Sequence, residues 1–552
     1  MEIGSMREAL RMNPWAGSDV AEMLDGIAAD RPAHVAIVDG DVRITYQELK
    51  ERRDALAAQF AGLGVRPGTN VGLLLGNHWQ TVVTVFAALY VGARVVPFNL
   101  MWEGREIRYA LELADVDVLI AGSHHRGDEL APKLVAAGIG TRSSGPVTVA
   151  GLPRLERVVF WHRHDNVLDA DSLNTLLDKQ GASSPPRATV QESYLLFTSG
   201  STGEAKGALL RQDAALGTSF YFGERLGLTE DDRFLNTLPF YHGGGLLTHL
   251  LGVLQRGATI YLFEGFDHDA MVETLNRERC TAIGGFDIVN MRLVHAQKAA
   301  GRPLSIEKMQ VTSERAFSEL ASLGVKCATV YALTEASNFV AMTPARTIVP
   351  SVQGNGQPFP GVEVRIMDYE TRKPVPVGQP GEICFRGWNT MVGYYRMEDL
   401  TRTTFDDEGF LHTGDYGSVD SDGQIFYRGR YSAMIKTGGE NVSELEVERF
   451  LTSELPGITN AGVVGVPDQQ WGEVVIAFVE TTGQVDSERL RDACRGKLAG
   501  YKIPKHFLEI ESGAWPVTPT GKLVKTTLRA RAAEILGAAE DGSREPQGAV
   551  HS

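Results

Sequence analysis

Ten consecutive residues, Thr198-Ser199-Gly200-Ser201-Thr202-Gly203-Glu204-Ala205-Lys206-Gly207, carry the groups that hold a polyphosphate. Gly200, Gly203 and Gly207 let the backbone turn sharply and approach a ligand closely. Thr198, Ser199, Ser201 and Thr202 supply hydroxyls, and Lys206 supplies a cation. Exposed backbone N–H groups, hydroxyls and one ammonium suit phosphate oxygens. The spacing is not the G-x-x-x-x-G-K-[ST] of a Walker A loop. A flexible surface linker has the same Gly/Ser/Thr composition, so the stretch alone leaves both readings open.

Further clusters narrow the chemistry. Tyr331-Ala332-Leu333-Thr334-Glu335 follows an apolar run, Ala328-Thr329-Val330. A ring there can stack on a base, and a carboxylate can hold Mg²⁺ against phosphate. A buried tyrosine and a solvated glutamate are the alternative. Leu411-His412-Thr413-Gly414-Asp415 is followed by Tyr427-Arg428-Gly429-Arg430. Asp415 can accept hydrogen bonds from both ribose hydroxyls, and Arg430 can reach the same sugar or a phosphate. A turn aspartate and a surface arginine are equally admissible. Pro519-Thr520-Gly521-Lys522 places a lysine at a loop tip. It is a solvated charge unless a mobile domain carries it into a site, where it bridges carboxylate and phosphate. His242 opens a His-Gly-Gly-Gly string like a lipase oxyanion motif, but the chain has no G-x-S-x-G elbow to go with it.

These residues need rigid elements behind them. Thr45-Tyr46-Gln47-Glu48 has capping-box spacing and predicts a helix to about Leu63. Val71-Gly72-Leu73-Leu74-Leu75 reads as a buried strand, residues 81–91 as a helix, and Val95-Val96-Pro97 as a second strand. That order implies a parallel βαβ unit. The pattern recurs at Val118-Leu119-Ile120, Leu195-Leu196-Phe197, Ala258-Thr259-Ile260-Tyr261 and Ala282-Ile283. The expected fold class is α/β: a large N-terminal domain of parallel βαβ sheets with a β-rich subdomain after Phe339, then a small, mobile α+β C-terminal domain. The expected boundaries are residues 1–430, 431–535 and a disordered tail, 536–552. Residues 122–186 read as a less regular surface excursion, and no internal repeat is visible.

Bulk properties exclude several classes. A chain of 552 residues exceeds one compact core. A formal net charge of −15 leaves no basic excess for a nucleic-acid partner. The longest apolar stretch, from Thr81 to Ala93, is shorter than the roughly 20 residues a membrane helix needs. The start of the sequence lacks an apolar signal core. Cys280, Cys327, Cys384 and Cys494 lie far apart, which fits reduced thiols in the cytoplasm and offers no zinc site.

The clusters occur together, and their order resembles the adenylate-forming superfamily, specifically its acyl-CoA synthetases and other AMP-dependent ligases. The resemblance runs from Thr45-Tyr46-Gln47-Glu48-Leu49 to Lys522. Residues 198–207 match T-S-G-[ST]-T-G-x-P-K-G at all but one position. Residues 331–335 match Y-G-x-T-E with one exception, and Thr413-Gly414-Asp415 matches a T-G-D core. Met434-Ile435-Lys436-Thr437-Gly438-Gly439-Glu440-Asn441 matches I-K-x-G-G-E-N, and residues 518–522 match a terminal T-x-x-G-K.

The resemblance implies a two-step reaction. A carboxylate attacks the α-phosphorus of ATP, giving an acyl-adenylate and pyrophosphate. A thiol, coenzyme A in the first instance, then displaces AMP. Positioning and charge neutralisation dominate such chemistry. By the same resemblance, Thr198, Ser199, Gly200, Ser201, Thr202, Gly203 and Lys206 hold phosphates. Thr334 contacts the α-phosphate or the carboxylate, Glu335 binds Mg²⁺, Tyr331 flanks adenine, and Asp415 and Arg430 hold ribose. Lys522 supports the first step. Ser432 marks a hinge about which the C-terminal domain rotates, exchanging Lys522 for Lys436, Gly438, Gly439 and Glu440 on the thiol side. His242 lies by the acyl pocket and thiol tunnel. Ala205, Ala332 and Ser432 depart from the usual proline, glycine and Asp or Lys. Ser313 and Arg315 are also unusual, and an Arg315 facing the pocket would favour a polar or anionic acid. The partner is a small-molecule carboxylic acid, with neither membrane insertion nor nucleic acid. The alternative is an adenylating enzyme whose second nucleophile is a carrier-protein phosphopantetheine, an amine or another small acceptor.

Overall fold

A computed structural model describes residues 13–542 apart from 126, 141–143, 163–171, 180–184, 200–204, 265–266, 286, 313, 349–353, 432–433, 438–439, 469–470, 484–485, 496, 499 and 518–522. The chain divides into two compact units. The first takes Met1–Arg365, Cys384–Thr413 and Val419–Phe426; the second takes Ile366–Ile383, Gly414–Ser418 and Tyr427–Ser552. The β-rich stretch expected after Phe339 is where the chain passes between them, within Val362–Met367, Gly381–Gly387, Leu411–Val419 and Ile425–Arg430.

The first unit holds two large sheets. The eight-stranded one runs Gly393–Tyr394, Ala205–Arg211, Glu192–Ser199, Arg94–Pro97, Asn70–Leu74, Val118–Gly122, Arg157–Trp161, Gly145–Pro146. Its middle is parallel, as the βαβ pattern requires, and its edge pairings are antiparallel. Strand Asn70–Leu74 is buried along its whole length, as expected of a parallel strand covered on both faces. The nine-stranded sheet runs Gln357–Pro358, Asn338–Met342, Lys326–Leu333, Lys308–Val311, Ala282–Gly284, Arg233–Asn236, Thr259–Leu262, Val35–Asp39, Val42–Thr45.

Local signals account for the helices. Thr45 caps helix Tyr46–Gly62 through a complete capping box: Glu48 N donates to Thr45 Oγ1 at 3.2 Å, and Thr45 N to Glu48 Oε2 at 2.8 Å. The apolar stretch that is too short for a membrane becomes helix Trp79–Tyr90, buried at every position from Thr81 to Leu89. Among the described residues no helix is long and apolar enough to cross a membrane.

The second unit contains a five-stranded sheet: Glu440–Ser443, Met434–Thr437, Gly472–Thr481 and Ile458–Asp468, with His506–Glu509 parallel to Gly472–Thr481. Helix Glu444–Glu454 packs Val447 and Leu451 against Val463, Val475 and Ala477. Helix Lys525–Gly542 begins with Lys525 bonded to Glu448 and Val463 O, and Arg529 reaches Glu444 at 2.6 Å. This helix runs past the expected start of the disordered tail at residue 536, because its Ala-rich stretch favours helix.

Candidate active site

The phosphate-type stretch is rooted in an antiparallel hairpin. Strands Glu192–Ser199 and Ala205–Arg211 pair with Thr198 opposite Lys206 and Phe197 opposite Gly207. Opposed residues on such a ladder project to the same face. Hydroxyl and ammonium therefore flank the connecting residues 200–204, which lie outside the described set with Gly200, Ser201, Thr202 and Gly203. Gly207 is needed for packing rather than turning, since a Cβ there would lie 3.0 Å from Leu195 Cδ1. Tyr109 OH donates to Ala205 O at 3.1 Å, and Tyr395 N to Gly207 O at 2.8 Å.

Glu335 stands beside this root. Strand Lys326–Leu333 buries Tyr331 at 3% exposure and leaves Ala332 exposed. A 3-10 turn, Thr334–Ala336, follows, with Thr334 and Glu335 half-buried. Ser337 (φ 50°) and Asn338 (φ 92°) then adopt left-handed backbone, a conformation stored mainly at functional sites. Glu335 Oε1 accepts from Tyr394 OH at 2.7 Å, and Lys206 Nζ lies 5.4 Å over the Tyr394 ring. One tyrosine thus carries a cation on its face and a carboxylate on its hydroxyl. Sequence reasoning missed Tyr394. Its available signal is the aromatic pair Tyr394-Tyr395 after a glycine, which no local spacing links to Lys206 or Glu335.

His242 sits in a loop after strand Arg233–Asn236. Its N–H donates to Pro239 O at 3.1 Å, and a π-helix, Gly244–Leu250, follows. Such helices gather at functional sites. Gly245 has no room for a side chain, because a Cβ would lie 2.4 Å from Pro239 O. Burial pushes the His242 imidazole down to about 4, so the ring is neutral at physiological pH. Among the described residues its buried Nε2 has no hydrogen-bond partner. Asn338 joins the two regions: its Nδ2 donates to Thr248 Oγ1, and its Oδ1 would lie 3.2 Å from a Cβ on Gly243. His249 is fully buried between Asn236 Oδ1 (2.9 Å) and Gln310 Oε1 (3.4 Å) and is also pushed down to about 4 by burial.

In the second unit, Asp415 is 3% exposed and pairs with Arg430, Nε to Oδ1 at 2.8 Å. Gly414 beside it has φ 71° and donates its N–H to Glu382 Oε1 at 2.9 Å, so the T-G-D glycine serves a left-handed turn. Thr437 lies opposite Glu440 in a second hairpin. The side chains of Lys436 and Glu440, and residues Ser432, Gly438, Gly439 and Lys522, lie outside the described set, as do Ser313 and the Arg315 side chain.

A cavity of about 580 Å³ also opens in this unit. Trp471, Tyr501, Ile503, Arg491, Arg495 and Lys505 line it. Arg491 Nη2 is anchored on Lys505 O at 2.5 Å, while its buried Nε is unpartnered among the described residues. Aromatic faces with guanidinium groups suit a base carrying phosphate. Sequence reasoning missed this place. Arg491 and Arg495, four apart around helix Ser487–Cys494, were its one visible sign.

Comparison with known proteins adds an independent finding. The model of the AMP-binding enzyme family matches residues 24–395, and that of the AMP-binding enzyme C-terminal domain matches residues 446–522. The 3-[(3aS,4S,7aS)-7a-methyl-1,5-dioxo-octahydro-1H-inden-4-yl]propanoyl:CoA ligase of Mycobacterium tuberculosis is 32% identical over 92% of this chain and 98% of its own length. A feruloyl-CoA synthase from Amycolatopsis is 31% identical over 91% of this chain and 96% of its own. Among solved structures, the anthranilate CoA ligase AuaEII in complex with anthranoyl-AMP superposes with TM-score 0.80 at 25% identity, over 94% of this chain and 98% of that one. ATP-bound MatB from Rhodopseudomonas palustris gives TM-score 0.79 at 25% identity, over 93% and 99%.

Proposed function

The chain belongs to the AMP-binding enzyme family, and from that premise we propose how its residues divide the work of an acid–thiol ligase. The enzyme uses ATP to activate a small-molecule carboxylic acid as an acyl-adenylate, releasing pyrophosphate, and passes the acyl group to the thiol of coenzyme A. The observation that carries the division of roles is the Lys206–Tyr394–Glu335 cluster at the root of the phosphate hairpin.

Lys206, with Thr198 and the loop hydroxyls, steadies the β- and γ-phosphates as pyrophosphate leaves. Glu335 suits Mg²⁺: Tyr394 occupies Oε1, and among the described residues Oε2 has no hydrogen bond. That leaves one carboxylate oxygen open to a magnesium ion bound mainly through substrate phosphates. When bound, the ion neutralises phosphate charge. Thr334 orients the reacting carboxylate or α-phosphate, and Tyr331 supports the adenine side from within its strand. Asp415 accepts from the ribose hydroxyls, with Arg430 already paired to its Oδ1. Neutral His242, with an unpaired buried nitrogen, lines the acyl and thiol side without placing a charge there. Lys522 serves adenylation; Lys436, Gly438, Gly439 and Glu440 serve thiol entry after a swing about Ser432. Coenzyme A is favoured over a carrier protein by the Trp471–Tyr501 cavity, whose rings and guanidinium groups fit its nucleotide end.

The setting is the cytoplasm, in keeping with four buried free thiols, of which Cys280 and Cys327 are pushed up to about 12 by burial. The acid is found by screening purified protein against a panel, starting with ring-bearing acids of the kind the relatives' names specify, with and without coenzyme A. Acid-dependent pyrophosphate exchange with no coenzyme A dependence of AMP release would turn the reading to another acceptor.

A further inference from the structure

We propose that Asn77 is a positioning residue for the acyl and thiol side of the reaction, clamping from one sheet the loop that carries His242 on the other. The inference rests on the role given above to His242.

Asn77 follows strand Asn70–Leu74 of the eight-stranded sheet; residues 238–240 follow strand Arg233–Asn236 of the nine-stranded sheet. Both lie beyond the carboxyl ends of parallel strands, where open α/β sheets bind their ligands. Asn77 Nδ2 donates to Leu238 O at 2.8 Å, and Asn77 Oδ1 accepts from Phe240 N at 2.8 Å. The side chain is buried at 7% exposure, so water does not compete for either bond. The two bonds bracket Pro239, which has no N–H of its own, and Pro239 O receives the His242 N–H at 3.1 Å. Three hydrogen bonds therefore run from Asn77 to the backbone of His242.

The clamp is stiff at both ends. Thr81 Oγ1 donates to Gly76 O at 2.6 Å, just before Asn77. His78, just after it, is buried at 2% exposure, with Nδ1 3.3 Å from Asp39 Oδ2 and Nε2 3.6 Å from Glu264 Oε2. On the far side, Asn236 Nδ2 also donates to Leu238 O at 3.0 Å, and Asn236 Oδ1 lies 2.9 Å from His249 Nδ1 in the π-helix. A primary amide on a short stem supplies donor and acceptor together. Aspartate lacks the donor, and glutamine carries its amide one methylene too far. Without the clamp, Phe240 N–H loses its partner in a buried place while Leu238 O keeps only Asn236 Nδ2, and the backbone must shift to satisfy the amide. His242 moves with it, while the phosphate hairpin and Glu335 do not depend on these bonds.

The test uses the full-length enzyme with Asn77→Ala, Asn77→Asp, His242→Ala and the Asn77→Ala/His242→Ala pair. Acid kcat/KM, the KM for ATP in pyrophosphate exchange, and thermal melting are measured for each. Asn77→Asp keeps the volume and the acceptor for Phe240, and is read where the alanine variant fails to fold. The expected result is an acid kcat/KM lowered about tenfold in either Asn77 variant, the equivalent of one buried hydrogen bond, with the KM for ATP within about twofold of wild type. The double variant should be no worse than His242→Ala alone, because the two changes act through one loop. Asn77 variants with wild-type kinetics, whatever their melting temperature, would overturn the clamp, as would additive losses in the pair. A silent His242→Ala beside impaired Asn77 variants would instead sink the role of His242 and keep the clamp on the loop.

Discussion

The hydroxyl of Tyr394 donates to Glu335 Oε1 at 2.7 Å, and the same ring lies 5.4 Å beneath the ammonium of Lys206. The two residues come from different strand ends: Tyr394 from an edge strand paired to Ala205–Arg211, Glu335 from the turn after Lys326–Leu333. Met391 N also donates to Glu335 O at 2.8 Å, so backbone and side chain fix the carboxylate together. In the proposed reading the fixed carboxylate holds Mg²⁺ and Lys206 faces phosphate, which together supply the preorganised positive charge that a departing polyphosphate needs.

Tyr394→Phe therefore frees Glu335 without removing it. The expected result is a several-fold to roughly tenfold rise in the Mg²⁺ concentration needed for half-maximal pyrophosphate exchange, set by one charge-assisted hydrogen bond. The KM for coenzyme A should not move. Titrating Mg²⁺ at fixed ATP checks this, and an unchanged Mg²⁺ curve would remove Tyr394 from the account.

Lys522→Ala should separate the two half-reactions. Adenylate formation should fall by roughly 100-fold or more, as expected when a charge that acts only in one transition state is lost. Thioester formation from a supplied acyl-adenylate should stay near wild type. Equal loss in both assays would contradict the assignment of Lys522 to the first step.

The cavity beside Trp471 makes a prediction about the acceptor. Trp471→Ala and Arg491→Ala should raise the KM for coenzyme A about tenfold, the scale of one lost stacking or charged contact. Pantetheine, which has the thiol but no nucleotide, should react alike with wild type and variants. A parallel loss with pantetheine would move the effect from the nucleotide end to the thiol path.

Acid should weaken the fold through His249. Its imidazole is held near 4 by burial, whereas in the unfolded chain it takes a proton at about 6.5. A depressed pKa contributes stability that is complete above 6.5 and is lost as pH falls toward 4, by at most about 1.4 kcal/mol per pH unit. Urea unfolding at pH 7 and pH 5 tests this. Wild type should lose more stability between the two than His249→Gln, and equal losses would rule it out.

The sheets and the N-terminal helices were legible because hydrophobic patterning and caps are local. Thr45 and Glu48 form the box their spacing predicts, and the apolar run after Gln80 is a core helix. The motifs at Lys206, Glu335 and Asp415 were visible because their glycines and hydroxyls are contiguous in sequence. What stayed hidden depends on pairing between distant strands. Tyr394 meets Lys206 and Glu335 only through the register of Ala208 with Tyr394. Asn77 reaches Leu238 and Phe240 across 161 and 163 residues. Gly207 looked like a turn residue and proved to be a packing residue, since its φ is ordinary and its neighbour Leu195 is close.

The central claim is two-step acid–thiol ligation, and AMP release by purified enzyme tests it most directly. With ATP, Mg²⁺ and its acid, the enzyme should turn over AMP only when coenzyme A is added, releasing one AMP per acyl-CoA formed. Steady AMP release with no acyl-CoA across a broad acid panel, or ADP in place of AMP, would contradict it.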